Sequence, residues 1–133
     1  MDIYAQNIMD HYKNPRNSGV LEGATVHHAE ANYSCGDQIS LDLNIENDIV
    51  QDIKFQGGGC AISMAAISII SEYIKGKSVD DIMKLTEEDI HKHLGVPIGD
   101  RRKKCAGLNL LTIKNAILKY KGLDPLKWMD VVD

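Results

Sequence analysis

The sequence predicts an α+β fold in which helices pack on one face of a small antiparallel sheet of about three strands. Two runs of alternating polar and apolar residues are separated by the pair Asn47-Asp48, a pattern typical of a β-hairpin. A helical segment precedes these runs, and apolar segments of helical length follow them. The order is therefore helix, sheet, helices, which indicates separate helical and β layers.

The segment before the hairpin is predicted to begin with a short helix from Ile3 to Tyr12. Its end follows from Asn14-Pro15, because the residue before a proline is pushed out of the helical region by steric contact. A loop through Gly19 and Gly23 comes next. A further strand is expected at 24–31, which completes the sheet.

The hairpin consists of two predicted strands. Residues 38–46 alternate, with four apolar side chains on one face and polar side chains on the other, which indicates a half-buried strand. The run from Ile49 to Phe55 alternates in the same way, and Asn47-Asp48 supplies the turn between the strands. The triplet Gly57-Gly58-Gly59 is then expected to end the second strand.

Four helices are predicted after the hairpin. The apolar run from Ala61 to Ile74 has the length of a buried helix. Ser78 and Thr86 are expected to cap two short helices, the second with Asp89 three residues further on, as in a capping box. The final helix is expected to run to about residue 121, before a glycine. Its buried stripe comprises Leu110, Ile113, Ile117 and Tyr120.

Length and composition predict one globular domain spanning residues 1–133, with 44% hydrophobic and 26% charged residues. The net charge of −4 makes nucleic acid a poor partner, although Arg101 to Lys104 is a basic run. No segment reaches the roughly 18 apolar residues that span a membrane, and the N-terminus lacks the apolar run of a signal peptide. The sequence therefore predicts a cytoplasmic protein with no membrane partner.

Three cysteines in a chain without an export signal favour metal binding or thiol chemistry over a disulfide framework. Cys35 precedes a predicted strand, and Cys60 and Cys105 are each expected at the start of a helix. A helix N-terminus carries unpaired N–H groups and a partial positive charge, which favour a thiolate. The glycines before Cys60 leave the backbone bare and open to close approach. Such boundaries can converge at one end of a domain.

Asp37 follows Cys35 by two residues and can reach the same point if Gly36 makes a tight turn. Three thiolates and one carboxylate differ from the four cysteines of a permanent electron-transfer cluster. The carboxylate is the weaker ligand for iron, and weak ligation suits a cluster that is meant to leave. The competing interpretation for any one cysteine is a small buried hydrophobic residue.

The histidines are not predicted to form a metal site. His27 and His28 are neighbours on a strand and point to opposite faces, while His91 and His93 do not share a helix face. His11 is expected on the exposed or capping side of the first helix. A cysteine hydrolase would need a base beside one thiol, and no histidine has a sequence context that suggests one.

The motifs together resemble the IscU/NifU N-terminal family of iron–sulfur cluster scaffolds, over nearly the whole chain. The landmarks are Asp10-His11-Tyr12 with Pro15-Arg16-Asn17 and Gly19, Cys35-Gly36-Asp37, Gly59-Cys60-Ala61-Ile62-Ser63, Gly76-Lys77-Ser78, and Lys104-Cys105 opening the last helix. The resemblance implies an IscU-like α+β fold, also related to SufE and NifU. It further implies a scaffold and carrier rather than an enzyme.

The function implied by the resemblance is assembly of a [2Fe-2S] cluster from iron and sulfur, with transfer to apo iron–sulfur proteins. A cysteine desulfurase would deliver the sulfur as a persulfide. Cys35, Cys60 and Cys105 would be cluster ligands or persulfide acceptors, with Asp37 tuning the lability of the cluster. Lys104 would act beside the ligands, by stabilising the Cys105 thiolate or a ligand atom. The sequence leaves the oligomeric state open, a homodimer included.

Two departures from the IscU pattern keep an alternative open. Lys104 stands where IscU-type members have a histidine, and together with the stretch at 59–63 it is similar to the SufU branch, which binds zinc and accepts sulfur. SufU proteins usually carry an insertion between the second and third cysteines, for which this chain has no room. The loop at 95–99 lacks the chaperone-binding motif of IscU. The alternative is a zinc-dependent persulfide acceptor with sulfurtransferase activity, using the same four ligands.

Overall fold

The computed structural model describes residues 3–32, 36–95 and 100–127, with side chains for 5–32, 36–95 and 107–127. Eight elements lie within these ranges. In chain order they are α1 (Ile3–Lys13), β1 (Val26–Asn32), β2 (Asp37–Glu46), β3 (Ile49–Gly58), α2 (Ala61–Ile74), α3 (Val79–Met83), α4 (Glu87–Leu94) and α5 (Asp100–Lys121).

The sheet is antiparallel with strand order β1-β2-β3. One face of β2 and β3 is apolar, because alternate residues along a strand point to the same side. These inward residues include Ile39, Leu41, Leu43, Ile53 and Phe55, all buried. Helix α5 packs on β1 and β2, and α2 packs on β3 and α5. The predicted α+β architecture, with helices on one face of a three-stranded sheet, is confirmed.

The β2-β3 hairpin closes through Asn47 and Asp48, as the sequence predicts. Both residues have positive φ angles, 54° and 60°. This left-handed backbone matches the twist of the flanking strands in a two-residue turn, and asparagine and aspartate tolerate it better than most residues. Glu46 and Ile49 are therefore paired directly across the turn.

Strand β3 ends within the glycine triplet, as predicted, but two of the three glycines still belong to the strand. The strand continues to Gly58, with Gly57 paired to Ile39 and Gly58 paired to Gln38. A Cβ atom at Gly57 would lie 2.3 Å from the main-chain oxygen of Gln38. The glycine therefore permits a close approach of two strands rather than breaking one.

The helix signals around α3 and α4 are confirmed. Ser78 caps α3 by accepting a hydrogen bond from the N–H of Asp81. Thr86 caps α4, and its side chain and that of Asp89 form a reciprocal capping box. The hydrogen bonds from Thr86 hold the pKa of the Asp89 carboxyl below its usual value. Gly95 ends α4 in the left-handed conformation, with φ 74°.

The last helix starts earlier than expected. The sequence analysis has Lys104-Cys105 opening the helix, but α5 begins at Asp100. An aspartate is favoured at this position by the partial positive charge of a helix N-terminus. The basic run at 101–104 therefore lies within the helix instead of before it. Cys105 therefore does not have the helix N-terminal environment that was predicted for it.

The N-terminal motif is an anchor that fixes α1 and its following loop to α2. The Nδ1 atom of His11 lies 2.7 Å from Ser68 Oγ, which also accepts a hydrogen bond of 2.8 Å from the Arg16 N–H. The Asn17 side chain donates to Ser71 Oγ at 2.9 Å. His11 is 6% exposed, so its expected place on the exposed side of the helix is wrong.

Burial and neighbouring charges favour the neutral form of His11. Ser68 Oγ accepts from Arg16, and it can donate its own hydrogen to Nδ1 when the ring is neutral and that nitrogen carries no proton. Burial lowers the pKa of His11, and the charge of Arg16 acts in the same direction, against the opposing carboxylates of Glu72 and Asp10. The anchor is therefore built for the uncharged ring.

In the part of the chain that the structure describes, no helix combines the length and the apolar character that crossing a membrane requires.

Candidate metal centre at the start of helix α2

Cys60 is the N-cap residue of α2. Its backbone is extended, with φ −72° and ψ 159°, and its Sγ atom lies 3.4 Å from the Ser63 N–H, which donates to it. A cap residue satisfies one of the backbone donors that the first turn of a helix leaves unpaired. The side chain is exposed. The predicted position of Cys60 at a helix N-terminus is therefore confirmed, and its sulfur is open to a ligand that approaches from solvent.

Asp37 brings a carboxylate to the same point. It is the first residue of β2, and only 1% of its surface is exposed. Its Oδ1 atom accepts a hydrogen bond of 2.9 Å from the Cys60 N–H, and its Oδ2 atom lies 3.9 Å from Cys60 Sγ. The strand and the helix are thus joined at two of the four residues that the sequence analysis names as ligands.

Gly59 makes this junction possible. Its φ of +146° is rarely adopted by residues with a side chain, and a Cβ atom there would collide with the Asp37 carboxylate. The sequence analysis predicts that the glycines leave the backbone before Cys60 open to close approach. At Gly59, the group that approaches closely among the described residues is the Asp37 side chain.

The two side chains fit as ligands of one metal ion. Oxygen and sulfur ligands at typical zinc bond lengths stand about 3.6 Å apart when their angle at the metal is tetrahedral. The observed separation between Asp37 Oδ2 and Cys60 Sγ is 3.9 Å. A metal ion placed between them therefore requires only a small movement of either side chain.

The other predicted members of the site lie wholly or partly beyond what the structure describes. Cys35 falls outside the described residues. Lys104 and Cys105 are described only as backbone within α5. No three His, Cys, Asp or Glu side chains group closely enough to hold a metal ion in the described part of the chain. The four-residue ligand set therefore stays a prediction.

Asn109 is a residue near the site that the sequence analysis missed. It is fully buried on α5, and its Nδ2 atom donates a 3.2 Å hydrogen bond to the main-chain oxygen of Ser63. Ser63 is the residue whose N–H contacts Cys60 Sγ. The available signal is an asparagine between Leu108 and Leu110, since a polar residue in an apolar stretch of helix is more informative than the leucines around it.

The histidines contribute to other parts of the surface. His27 is paired with Asp42 through Nδ1 at 2.5 Å, and His28 lies 3.3 Å from Glu30 on the opposite face of β1. On α4, His91 lies 3.8 Å from Glu87. His93 stacks at a tilt against the ring of Tyr73. Within the described residues, these four side chains serve local pairs away from Cys60.

The structure is a small α+β domain in which the Cys60 thiol and the Asp37 carboxylate lie together at the N-terminus of α2. We call this contact between Asp37 and Cys60 the junction. The chain belongs to the family of the NifU-like N-terminal domain, whose model matches residues 3–125. The fold agrees with this assignment. The N-terminal part of a NifU-like protein from Brucella abortus superposes with a TM-score of 0.77 at 16% identity, covering 90% of this chain and 95% of that one.

Relatives of similar length carry two kinds of name. The zinc-dependent sulfurtransferase SufU of Bacillus subtilis strain 168 is 37% identical, over 90% of this chain and 92% of its own. The scaffold protein IscU for iron–sulfur cluster assembly in Aquifex aeolicus strain VF5 is 36% identical, over 88% and 75%. A candidate scaffold for the SUF system from Fervidobacterium islandicum AW-1 superposes with a TM-score of 0.75 at 30% identity, over 84% and 94%.

Proposed function

We propose that this protein is a scaffold on which a [2Fe-2S] cluster is assembled and from which it is transferred to apo iron–sulfur proteins. The observation that carries the proposal is the junction of Asp37 and Cys60, where a carboxylate oxygen and a thiol sulfur lie 3.9 Å apart. Membership of the NifU-like family and the similarity to an IscU scaffold support it. The cluster is cargo rather than a resident cofactor.

The proposed ligands are Asp37, Cys60, Cys35 and Cys105. Cys35 is joined to Asp37 through Gly36 alone, so the sequence ties two ligands to one short segment. Cys105 lies on α5 one helical turn before Asn109, which is bonded to the first turn of α2. Lys104, next to Cys105, would place a cation beside a cluster site whose thiolates and carboxylate give it net negative charge.

Sulfur would arrive from a cysteine desulfurase as a persulfide on the cysteine of that enzyme. A thiolate of Cys35, Cys60 or Cys105 attacks the outer sulfur, which forms a new S–S bond on the scaffold and breaks the bond on the desulfurase. The desulfurase cysteine leaves as a thiolate, so the transfer needs no oxidant or reductant. Reduction of the transferred sulfur to sulfide draws electrons from Fe(II) and from an added thiol reductant.

Anaerobic reconstitution tests this proposal. The protein is incubated with Fe(II), cysteine, dithiothreitol and a cysteine desulfurase, and the products are followed by visible absorption and Mössbauer spectroscopy. A red-brown protein with the spectra of a [2Fe-2S] cluster, which then passes its cluster to an apo-ferredoxin, is the expected outcome. Cys60→Ser should lose the cluster, whereas Ser78→Ala, at the cap of α3, should keep it. A parent protein that never acquires colour would contradict the scaffold function.

A zinc-dependent persulfide acceptor is the second candidate, and the 37% identity to the Bacillus SufU sulfurtransferase favours it. That alignment spans 137 positions but includes only 90% of the 133 residues here, so SufU has residues that this chain lacks. The junction of Asp37 and Cys60 fits a tetrahedral zinc ion equally well. This form would be colourless and would raise the rate at which the desulfurase turns over cysteine, which is measured as alanine formed.

A further inference from the structure

Asn109 occupies a position where an apolar residue would be expected. It lies between two fully buried leucines on α5, and it is itself 0% exposed. Its Nδ2 atom is satisfied by the Ser63 carbonyl at 3.2 Å. Its Oδ1 atom has no hydrogen-bond partner among the described residues. A buried acceptor without a partner is destabilising, so the contacts within the described residues do not explain the asparagine through stability.

The amide orientation follows from the contact itself. The atom that faces the Ser63 carbonyl must be a donor, because a second oxygen there would place two acceptors against each other. Oδ1 therefore points away from Ser63. A leucine has the same number and branching of side-chain heavy atoms, although its methyl groups are bulkier than the amide, and it would lose the bond to Ser63 together with the acceptor Oδ1.

That bond connects the two helices that carry two of the proposed ligands. Ser63 lies in the first turn of α2, and its N–H donates to Cys60 Sγ at 3.4 Å. Asn109 lies four residues after Cys105 on α5, which is about 6 Å along the helix and on the same face. A single side-chain amide thus fixes the backbone segment of one cysteine relative to the segment of the other.

We propose that Asn109 is a positioning residue for the metal site, which holds Cys105 at a fixed distance from Cys60 by bonding α5 to the first turn of α2. It does not touch the cargo. The inference deepens the proposed function and rests on it for the role of the metal. The geometric part, that the two cysteines are held near one another, can be measured without any metal.

The first experiment measures this proximity by disulfide formation. In a Cys35→Ser background, the metal-free protein is equilibrated in glutathione buffers of increasing oxidation, and the Cys60-Cys105 disulfide is quantified by mass spectrometry. The effective concentration of the two thiols should fall several-fold in Asn109→Leu. The same value with leucine as with asparagine would overturn the inference, and so would a background that forms no such disulfide.

The second experiment measures metal binding. The intact chain is titrated with Co²⁺ without oxygen, and the thiolate-to-cobalt absorption is followed. Outer contacts of this kind typically change metal affinity by about tenfold or more, so Asn109→Leu should bind Co²⁺ about tenfold more weakly. Parent-like affinity and band intensity in the variant would contradict the positioning role. A parent protein without the band would instead contradict the proposed metal function, and the disulfide experiment would still decide the role of Asn109.

Stability separates positioning from ordinary packing. We expect the metal-free Asn109→Leu protein to melt close to the parent, because removal of an acceptor that has no partner among the described residues offsets the greater bulk of leucine. Thr112→Val is the matched control, since Thr112 is equally buried on α5 and its hydroxyl donates to the Leu108 carbonyl of its own helix rather than to α2. The control should leave disulfide formation and Co²⁺ binding unchanged. A leucine variant whose melting temperature falls together with its Co²⁺ affinity would assign Asn109 to packing alone.

Discussion

The side chain of Asp37 fills the space that a side chain at Gly59 would need. A Cβ atom at Gly59 would lie 2.0 Å from Asp37 Oδ1 and 3.0 Å from Asp37 Cα, so movement of the carboxylate alone would not relieve the contact. Strand β2 and the start of α2 therefore depend on each other at this point. The first two predictions concern this dependence.

Gly59→Ala should destabilise the metal-free protein, by strain in the backbone and by collision with Asp37. Gly19 is the matched control, because its φ is similarly positive, at +132°, and a Cβ there meets only the side chain of Lys54, at 4.0 Å. Gly19→Ala should cost about 1–3 kcal/mol of unfolding free energy from backbone strain. We expect a clearly larger loss for Gly59→Ala in urea denaturation. Equal losses would mean that the contact with Asp37 contributes nothing.

Asp37→Asn and Asp37→Ala separate the structural and the metal-binding roles of this residue. Asparagine can still accept from the Cys60 N–H, whereas alanine leaves it unpaired, so only alanine should cost about 1.5–3 kcal/mol of unfolding free energy. Asp37→Ala should nevertheless yield a reconstituted cluster that survives longer in air, because the weakest ligand is gone. Faster loss of the cluster than in the parent would show that Asp37 retains the cargo instead of releasing it.

Stability should fall on acidification through His11. Its pKa is lowered in the folded protein from the ordinary value of 6.5, mainly by burial, so the unfolded chain binds the proton more readily. The stabilisation is therefore complete above pH 6.5 and is lost as the pH falls below it, toward the folded pKa. His11→Gln should flatten the melting temperature between about pH 7 and 5.5. His93→Gln, which leaves the contact with Ser68 intact, should keep the pH dependence of the parent.

Lys104→Ala tests the cation beside Cys105. We expect weaker retention of the cluster or weaker coupling to the desulfurase, because the negative charge of the loaded site loses a nearby counter-charge. The unfolding free energy of the metal-free protein should stay within about 0.5 kcal/mol of the parent, as for most surface substitutions. If cluster yield and sulfur transfer both remain at parent levels, Lys104 is an ordinary solvent-facing lysine.

The features that sequence predicts well here are those fixed by neighbours in the chain. Asn47 and Asp48 carry the backbone preference of their turn, and Thr86 and Asp89 form their capping box within one helical turn. Apolar and polar residues alternate along β2 and β3, and this local pattern predicts both the strands and the face of the sheet that is buried. Cys60 belongs to this group, because a glycine run followed by a small apolar segment marks the start of α2.

The features that were missed depend on partners far along the chain. His11 is buried by contact with Ser68, which is 57 residues away, and Asn109 bonds Ser63 across 46 residues. Gly57 is a strand residue because it passes close to Gln38, not because of anything adjacent to it. No local pattern distinguishes His11 from a solvent-facing histidine or Gly57 from a strand-ending glycine. The leucines beside Asn109 mark it as buried, but they do not name Ser63 as its partner.

The start of α5 is a different kind of error. Lys104-Cys105 was expected to open the helix by analogy of motif, yet Asp100 is the residue with the favourable charge for a helix N-terminus. The segment before Asp100 contains a proline and two glycines, so the sequence alone offers several possible starts. The helix N-terminal environment predicted for both cysteines is therefore found at Cys60 and not at Cys105.

Asp37 Oδ1 is held by the backbone of Cys60, and Oδ2 is the oxygen on the thiol side. A metal ion at this junction would thus meet a monodentate carboxylate, attached through one atom while the other atom keeps its place in the protein. Breaking the bond to Oδ2 would remove the carboxylate from the proposed ligand set but leave the strand and the helix joined. In the proposed scaffold, release of this ligand would therefore need no separation of the strand from the helix, and the empty junction would be ready for another round of loading.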